Sequence, residues 1–101
     1  MDDRLGILVS SNKHLDGVIA LTKAANEKGK KVQIFFTGQG VLLTQKPEFA
    51  KLVGKAKLSV CDVSFRANGL EGEVPGVSFK DFATQARNAE MIKECDRYLV
   101  F

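Results

Sequence analysis

Cys61 is the residue of this chain best placed to do chemistry. It ends the run Lys57-Leu58-Ser59-Val60, whose alternation of polar and apolar residues after Gly54 predicts a strand. The following stretch, Asp62-Val63-Ser64-Phe65-Arg66-Ala67-Asn68-Gly69-Leu70, suits one or two helical turns. Gly69 would close them by taking the left-handed conformation common just past a helix end. A cysteine at a strand-to-helix junction meets unpaired backbone N–H groups and the positive end of the helix dipole. That setting can lower a thiol pKa below its usual ~8.5 and make the sulfur a nucleophile. The chemistry implied is that of a reactive sulfur.

The competing reading is a buried structural thiol, because free cysteine is among the most buried residue types. The polar residues after it, Asp62, Ser64 and Arg66, tilt the balance toward reactivity. Ser64 could donate a hydrogen bond to an anionic sulfur, and Arg66 could neutralise one; each could equally be a solvated surface group. Asp62 favours the helix start through the dipole but opposes a thiolate beside it. Cys95 precedes the last apolar run and would lie at the opposite sheet edge, which makes it a structural cysteine. His14, the sole histidine, follows the first strand and could approach the Cys61 edge to assist proton transfer. A solvated ring at a helix start is the plainer reading.

These residues need elements to position them. Leu5–Val9 is a nearly continuous apolar run, as expected for a strand covered on both faces. Ser10, Ser11 and Asn12 suit a turn and a helix N-cap. From His14 to Lys28, Leu15, Val18, Ile19, Thr22 and Ala25 recur at helical spacing, and Gly29 closes the helix. Val32–Phe36 predicts a second strand, and Thr37-Gly38-Gln39-Gly40 a loop. Residues 41–53 are expected to be helical in two pieces, with Pro47 opening the second and Gly54 ending it. Residues 71–76 read as a loop, with a very short fourth strand at Val77. Ser78 and Asp81 fit a capping box, predicting a helix over 79–92 with Phe79, Phe82, Ala83, Ala86 and Ala89 on its core stripe. Residues 96–101, with Tyr98-Leu99-Val100-Phe101, read as a last strand.

Strand–helix alternation throughout implies an α/β fold: a three-layer α/β/α sandwich around a mainly parallel, five-stranded sheet. The chain, 1–101, is expected to be one domain. In such sheets the loops at the carboxyl ends of the strands form the active edge. Ser10–His14, Thr37–Gly40 and Cys61–Gly69 should gather there.

Composition narrows the function classes. The 101 residues, 45% hydrophobic, suffice for a core without covalent staples. No apolar run approaches the ~20 residues of a membrane span, and the start Met1-Asp2-Asp3-Arg4 lacks the features of a secretory signal, so a cytoplasmic protein is expected. The net charge of +3 invites a nucleic-acid reading, but the basic residues are scattered and carry no interleaved aromatics. Lys28, Lys30 and Lys31 instead flank Gly29, where cations offset a helix dipole. Two cysteines and one histidine leave a tetrahedral zinc site short of a ligand unless a carboxylate joins. Neither a metal nor a cofactor is expected. Gly38-Gln39-Gly40 hints at a dinucleotide loop, yet Leu43 holds the third glycine's place and the motif follows the second strand. A serine hydrolase fits less well still, because there is no nucleophile-elbow sequence and His14 is the only available base.

The stretch Val60-Cys61-Asp62-Val63-Ser64-Phe65-Arg66-Ala67-Asn68-Gly69-Leu70 resembles the cysteine motif of the DsrE/DsrF-like sulfur-relay family, relatives of the TusD-type sulfurtransferases. In that motif a cysteine follows an apolar strand, a serine stands three residues on, and an Arg-Gly pair precedes an apolar residue. The opening strand, Phe35-Phe36-Thr37-Gly38-Gln39-Gly40-Val41, Val74-Pro75-Gly76-Val77 and the ending Asp96-Arg97-Tyr98-Leu99-Val100-Phe101 are similar as well, so the likeness spans nearly the whole chain. It implies that Cys61 accepts a persulfide and hands it to a partner. It also implies a compact α/β domain that assembles as a trimer or hexamer, with sulfur donor and acceptor proteins as partners. Ser64, Arg66, Asn68, Gly69 and His14 would support the cysteine, and Gly38, Gln39 and Gly40 would line its pocket. One position departs: Asn68 stands where the motif has arginine before Gly69. Two further readings remain open at this stage, a non-catalytic ligand-binding or assembly subunit and a redox-sensing thiol.

Overall fold

The computed structural model describes residues 3–101. Five strands form one sheet in which every pairing is parallel: β1 (Arg4–Val9), β2 (Lys31–Phe36), β3 (Lys57–Cys61), β4 (Phe82–Ala83) and β5 (Arg97–Val100), in the order β4-β3-β2-β1-β5. Parallel neighbours need crossovers. Here α1 (Leu15–Glu27) joins β1 to β2, and two 3-10 helices (Gly38–Gln45 and Pro47–Leu52) join β2 to β3. The short α2 (Asp62–Ala67) follows β3, and α3 (Ala86–Glu94) joins β4 to β5.

Strand alternation splits the interior into two layers. Leu5, Ile7 and Val9 of β1, Val32, Ile34 and Phe36 of β2, and Leu58 and Val60 of β3 face one side. There they meet Leu15, Val18 and Ala25 of α1, Val41, Leu43, Phe49 and Leu52 of the 3-10 helices, and Phe65 of α2. The opposite face is smaller: Phe35 and Cys61 pack with Met91 of α3, flanked by Leu8, Ala83, Cys95 and Tyr98. Handedness explains the division. The first four strands are added in one direction while β5 returns to the far side of β1, so right-handed crossovers place α3 alone on the second face.

Several expectations hold and others are corrected. The α1 stripe buries Leu15, Val18, Thr22 and Ala25 as its spacing predicts. Residues 41–53 are helical in two pieces with Pro47 at the start of the second, but both are 3-10 helices, and the first already includes Gly38–Gly40. Lys46 separates them in extended conformation (φ −84°, ψ 143°), since a residue before proline is pushed out of the helical region.

The helix predicted over 79–92 forms only in its second half, from Ala86 onward. Phe79–Asp81 is a single 3-10 turn, Phe82–Ala83 is β4, and the helix begins only at Ala86. Ser78 Oγ donates to Asp81 Oδ2 at 2.8 Å, so the two side chains bond each other and not the helix amides. Phe82 meets the ring of Phe65 edge-on at 5.1 Å, a packing that draws its backbone alongside Val60. Of the expected core stripe, Phe79 is 95% exposed. Val77 is likewise no sheet strand; it makes an isolated bridge to Val74. Phe35, Phe36, Phe49 and Phe65 are all buried.

Candidate functional site

Cys61 is the last residue of β3 and the N-cap of α2, with extended backbone (φ −71°, ψ 113°). Its register partner is Ala83 of β4. Because side chains alternate along β3, the sulfur emerges on the thinly covered face, against Phe35 and Met91. The residue is 4% exposed.

Helix α2 ends in a Schellman closure that fixes this turn. Gly69, at φ +76°, donates to the carbonyl of Arg66 at 2.9 Å, and Leu70 donates to that of Phe65 at 3.1 Å. Asn68 adds a side-chain clasp, its Nδ2 donating to the carbonyls of Ser64 (2.8 Å) and Gly38 (3.3 Å). The residue that departs from the cysteine motif therefore ties α2 to the loop after β2.

That loop brings a second set of groups to the sulfur. Gly38 N–H donates to Ser64 Oγ at 2.9 Å, and the hydroxyls of Thr37 and Ser64 lie 3.4 Å apart. From the start of α3, Gln85 Nε2 donates to Thr37 Oγ1 at 2.7 Å and to Cys61 Sγ at 3.6 Å. Burial pushes the Cys61 thiol up, but the Ser64 hydroxyl and N–H, the Thr37 hydroxyl and the Gln85 amide together outweigh it and hold the thiol below its ordinary value. The Cys61 side chain makes no capping bond to α2. Ionised, the sulfur is the acceptor toward which these donors are directed.

The sequence profile of the DsrE/DsrF-like family matches residues 3–101. This protein belongs to the DsrE/DsrF-like family. No curated protein matches the chain. The all-parallel α/β sheet built here is the fold expected from the family resemblance.

The structure distributes the expected site residues of this DsrE/DsrF-like chain unevenly. Ser64, Gly38, Asn68 and Gly69 converge on or brace the Cys61 turn. Arg66 does not reach the sulfur; it is turned to Asp62, Nε to Oδ2 at 3.1 Å, and its side chain is 75% exposed. His14 is the N-cap residue of α1, its ring 6.3 Å from that of Phe101 beyond β5, and no bond joins it to the Cys61 network among the described residues. Gln39 is exposed and is not among the groups that hydrogen-bond the sulfur. Gly40 is a packing residue, since a side chain there would collide with the Val9 carbonyl.

Two contributors escaped the sequence reading. Thr37 reads in the sequence as part of a loop, and Gln85 falls inside the expected helix. Cys95 is the C-cap of α3, just before β5 at the amino edge of the sheet, where burial and the neighbouring Glu94 carboxylate push its thiol up. The two thiols of this chain are thus displaced in opposite directions. A cavity of about 460 Å³ between α2 and the 70–79 loop is lined by Asp62, Phe65, Leu70, Val77 and Phe79, but not by Cys61. No group of metal-ligating residues occurs among the described residues, and no described helix is long and apolar enough to cross a membrane.

Proposed function

We propose that this protein carries sulfur as a persulfide on Cys61 and delivers it to a partner protein. The observation that supports this reading is the set of donors favouring a thiolate at Cys61, on the β3–α2 turn of a DsrE/DsrF-like domain. In loading, the Cys61 thiolate attacks the outer sulfur of a donor persulfide. A bond forms between Cys61 Sγ and that sulfur while the donor's S–S bond breaks. The donor cysteine leaves as a thiolate, and the proton remains on the transferred sulfur. Delivery repeats the exchange with an acceptor thiolate and returns Cys61 to its starting form, so no outside oxidant or reductant is consumed. The donors that favour a thiolate also suit a persulfide anion. The reaction asks for an ionised sulfur and little acid–base machinery, which agrees with His14 lying elsewhere.

In this reading the partners are a sulfur donor protein, an acceptor protein and further copies of the chain in a trimer or hexamer. The setting is the cytoplasm, with no part for nucleic acid, membrane or cofactor. Incubation with a persulfide donor, followed by peptide mass spectrometry, tests it. One additional sulfur on the Cys61 peptide is expected, and none after Cys61→Ser. A Cys61 thiol left unmodified in folded protein contradicts the reading.

The 4% exposure of Cys61 favours a second reading, a non-catalytic subunit that uses the carboxyl edge to hold a small ligand or a partner. In that case Cys61→Ser retains function.

A further inference from the structure

We infer that Gln85 is a positioning residue that covers Cys61 and holds Thr37 toward it, so that sulfur enters or leaves only when this side chain swings aside. Its biological purpose rests on the persulfide reading above; its geometry does not. Three side chains bring polar atoms to the sulfur: Ser64, Thr37 and Gln85. Ser64 and Thr37 are half-buried, whereas Gln85 is exposed. Behind the sulfur stand Phe35 and Met91, both buried. Of the three, Gln85 is the most open to solvent, which sets it outermost over the sulfur.

Space at the sulfur makes the cover an obstacle. A reacting partner must bring its atom to about 3–3.5 Å from Sγ, in line with the bond that breaks. Gln85 Nε2 already stands 3.6 Å away. The amide and an incoming sulfur cannot occupy that position together.

The second part of the role comes from hydrogen-bond accounting. An amide NH2 has two protons, so Gln85 can serve Thr37 Oγ1 and Cys61 Sγ at once. A hydroxyl has a single proton to give, and filling a lone pair of Thr37 from Gln85 leaves that proton free to turn toward the sulfur. Swinging Gln85 out removes one donor from the thiolate and releases Thr37. The sulfur then becomes more basic, and a more basic thiolate is the stronger nucleophile. The closed arrangement keeps the sulfur ionised but shielded, while the open one exposes it in a more reactive form. Gln85 suits this task because it is the N-cap of α3, just beyond the last residue of β4 and Thr84, and not an interior helix position.

Alkylation of Cys61 by iodoacetamide against pH tests the inference, in a Cys95→Ala background so that one thiol is read. Gln85→Ala should raise the high-pH plateau roughly three-fold or more, because the cover is gone. It should also move the midpoint up by about half to one unit, because a donor is gone. Gln85→Glu keeps the size but faces the thiolate with a carboxylate, so its plateau should stay within about two-fold while its midpoint rises further. An unchanged plateau in Gln85→Ala, or a midpoint that fails to rise in either variant, overturns the inference. A merely structural role would change the melting temperature and leave the midpoint in place. No sulfur donor takes part, so failure here leaves persulfide carriage standing, and failure to load sulfur leaves this result standing.

Discussion

The hydroxyl of Ser64 accepts the backbone N–H of Gly38 at 2.9 Å. This bond joins the helix after β3 to the loop after β2. Gly38 sits at φ +53°, a conformation that glycine adopts without strain. Because Ser64 Oγ is already an acceptor, its own proton is free for Cys61. The serine three residues past the cysteine is therefore oriented by a glycine from another crossover.

Removing the Ser64 hydroxyl should raise the Cys61 pKa. Ser64→Ala keeps the helix amide but loses the side-chain donor, and a hydrogen bond to a charged group is worth about 1.5–3 kcal/mol. The alkylation midpoint of Cys61 should move up by about one unit. A midpoint that stays in place would show that Ser64 only braces the Gly38 loop.

The two cysteines should separate by pH. Cys61 is held below its ordinary value by hydrogen bonds that outweigh burial, and Cys95 is pushed above it by burial and Glu94. The ratio of Cys61 to Cys95 labelling should fall as the pH climbs from about 6 to about 10, because Cys95 ionises late. Labelling both at a constant ratio would contradict the opposed displacements.

Two glycines should respond differently to alanine. At Gly40 an added Cβ would strike the carbonyl of Val9, a backbone atom that cannot turn away. Gly40→Ala should cost about 3 kcal/mol in urea unfolding and loosen the loop that carries Thr37. At Gly54 nothing lies within 4 Å, but φ is +80°. Gly54→Ala should cost only about 1–2 kcal/mol, the price of the left-handed backbone.

Asp81 should make stability depend on acid pH. Its carboxyl is held low because hydrogen bonds from Arg87 and Ser78 outweigh the upward push of burial. Arg87 Nη1 contacts it at 2.9 Å and also donates to Ser59 Oγ on β3 at 2.9 Å. A depressed folded pKa means that the contribution is complete above the unfolded value near ~3.9 and is lost as pH falls through the folded one. The stability gap between the natural protein and Asp81→Asn should be flat at neutral pH and close below about pH 4. A gap independent of pH would show that Asp81 contributes no charge interaction.

How much of this was legible in the sequence depends on where the information resides. The β3–α2 turn was readable because strand alternation, Cys61 and Gly69 lie within a dozen neighbouring residues and each acts locally. The buried stripe of α1 was readable for the same reason. The segment after Ser78 was not: Ser78 and Asp81 bond each other instead of capping a helix, and the Phe65–Phe82 ring contact draws residues 82–83 into the sheet. Gln85 was lost with it. His14 is the exposed ring at a helix start that its position suggests, and topology explains why it does not join the Cys61 network. It does follow a strand at the carboxyl edge, but β2 lies between β1 and β3, and β1 lies against β5. Local spacing carries no information on strand order.

The most direct measurement is the rate of sulfur uptake by Cys61 from a persulfide donor as a function of pH, in Cys95→Ala protein. The account predicts one sulfur bound per chain, with a half-maximal rate at a pH below the ~8.5 of a free cysteine. No uptake, or a half-maximal rate at or above that value, would contradict it.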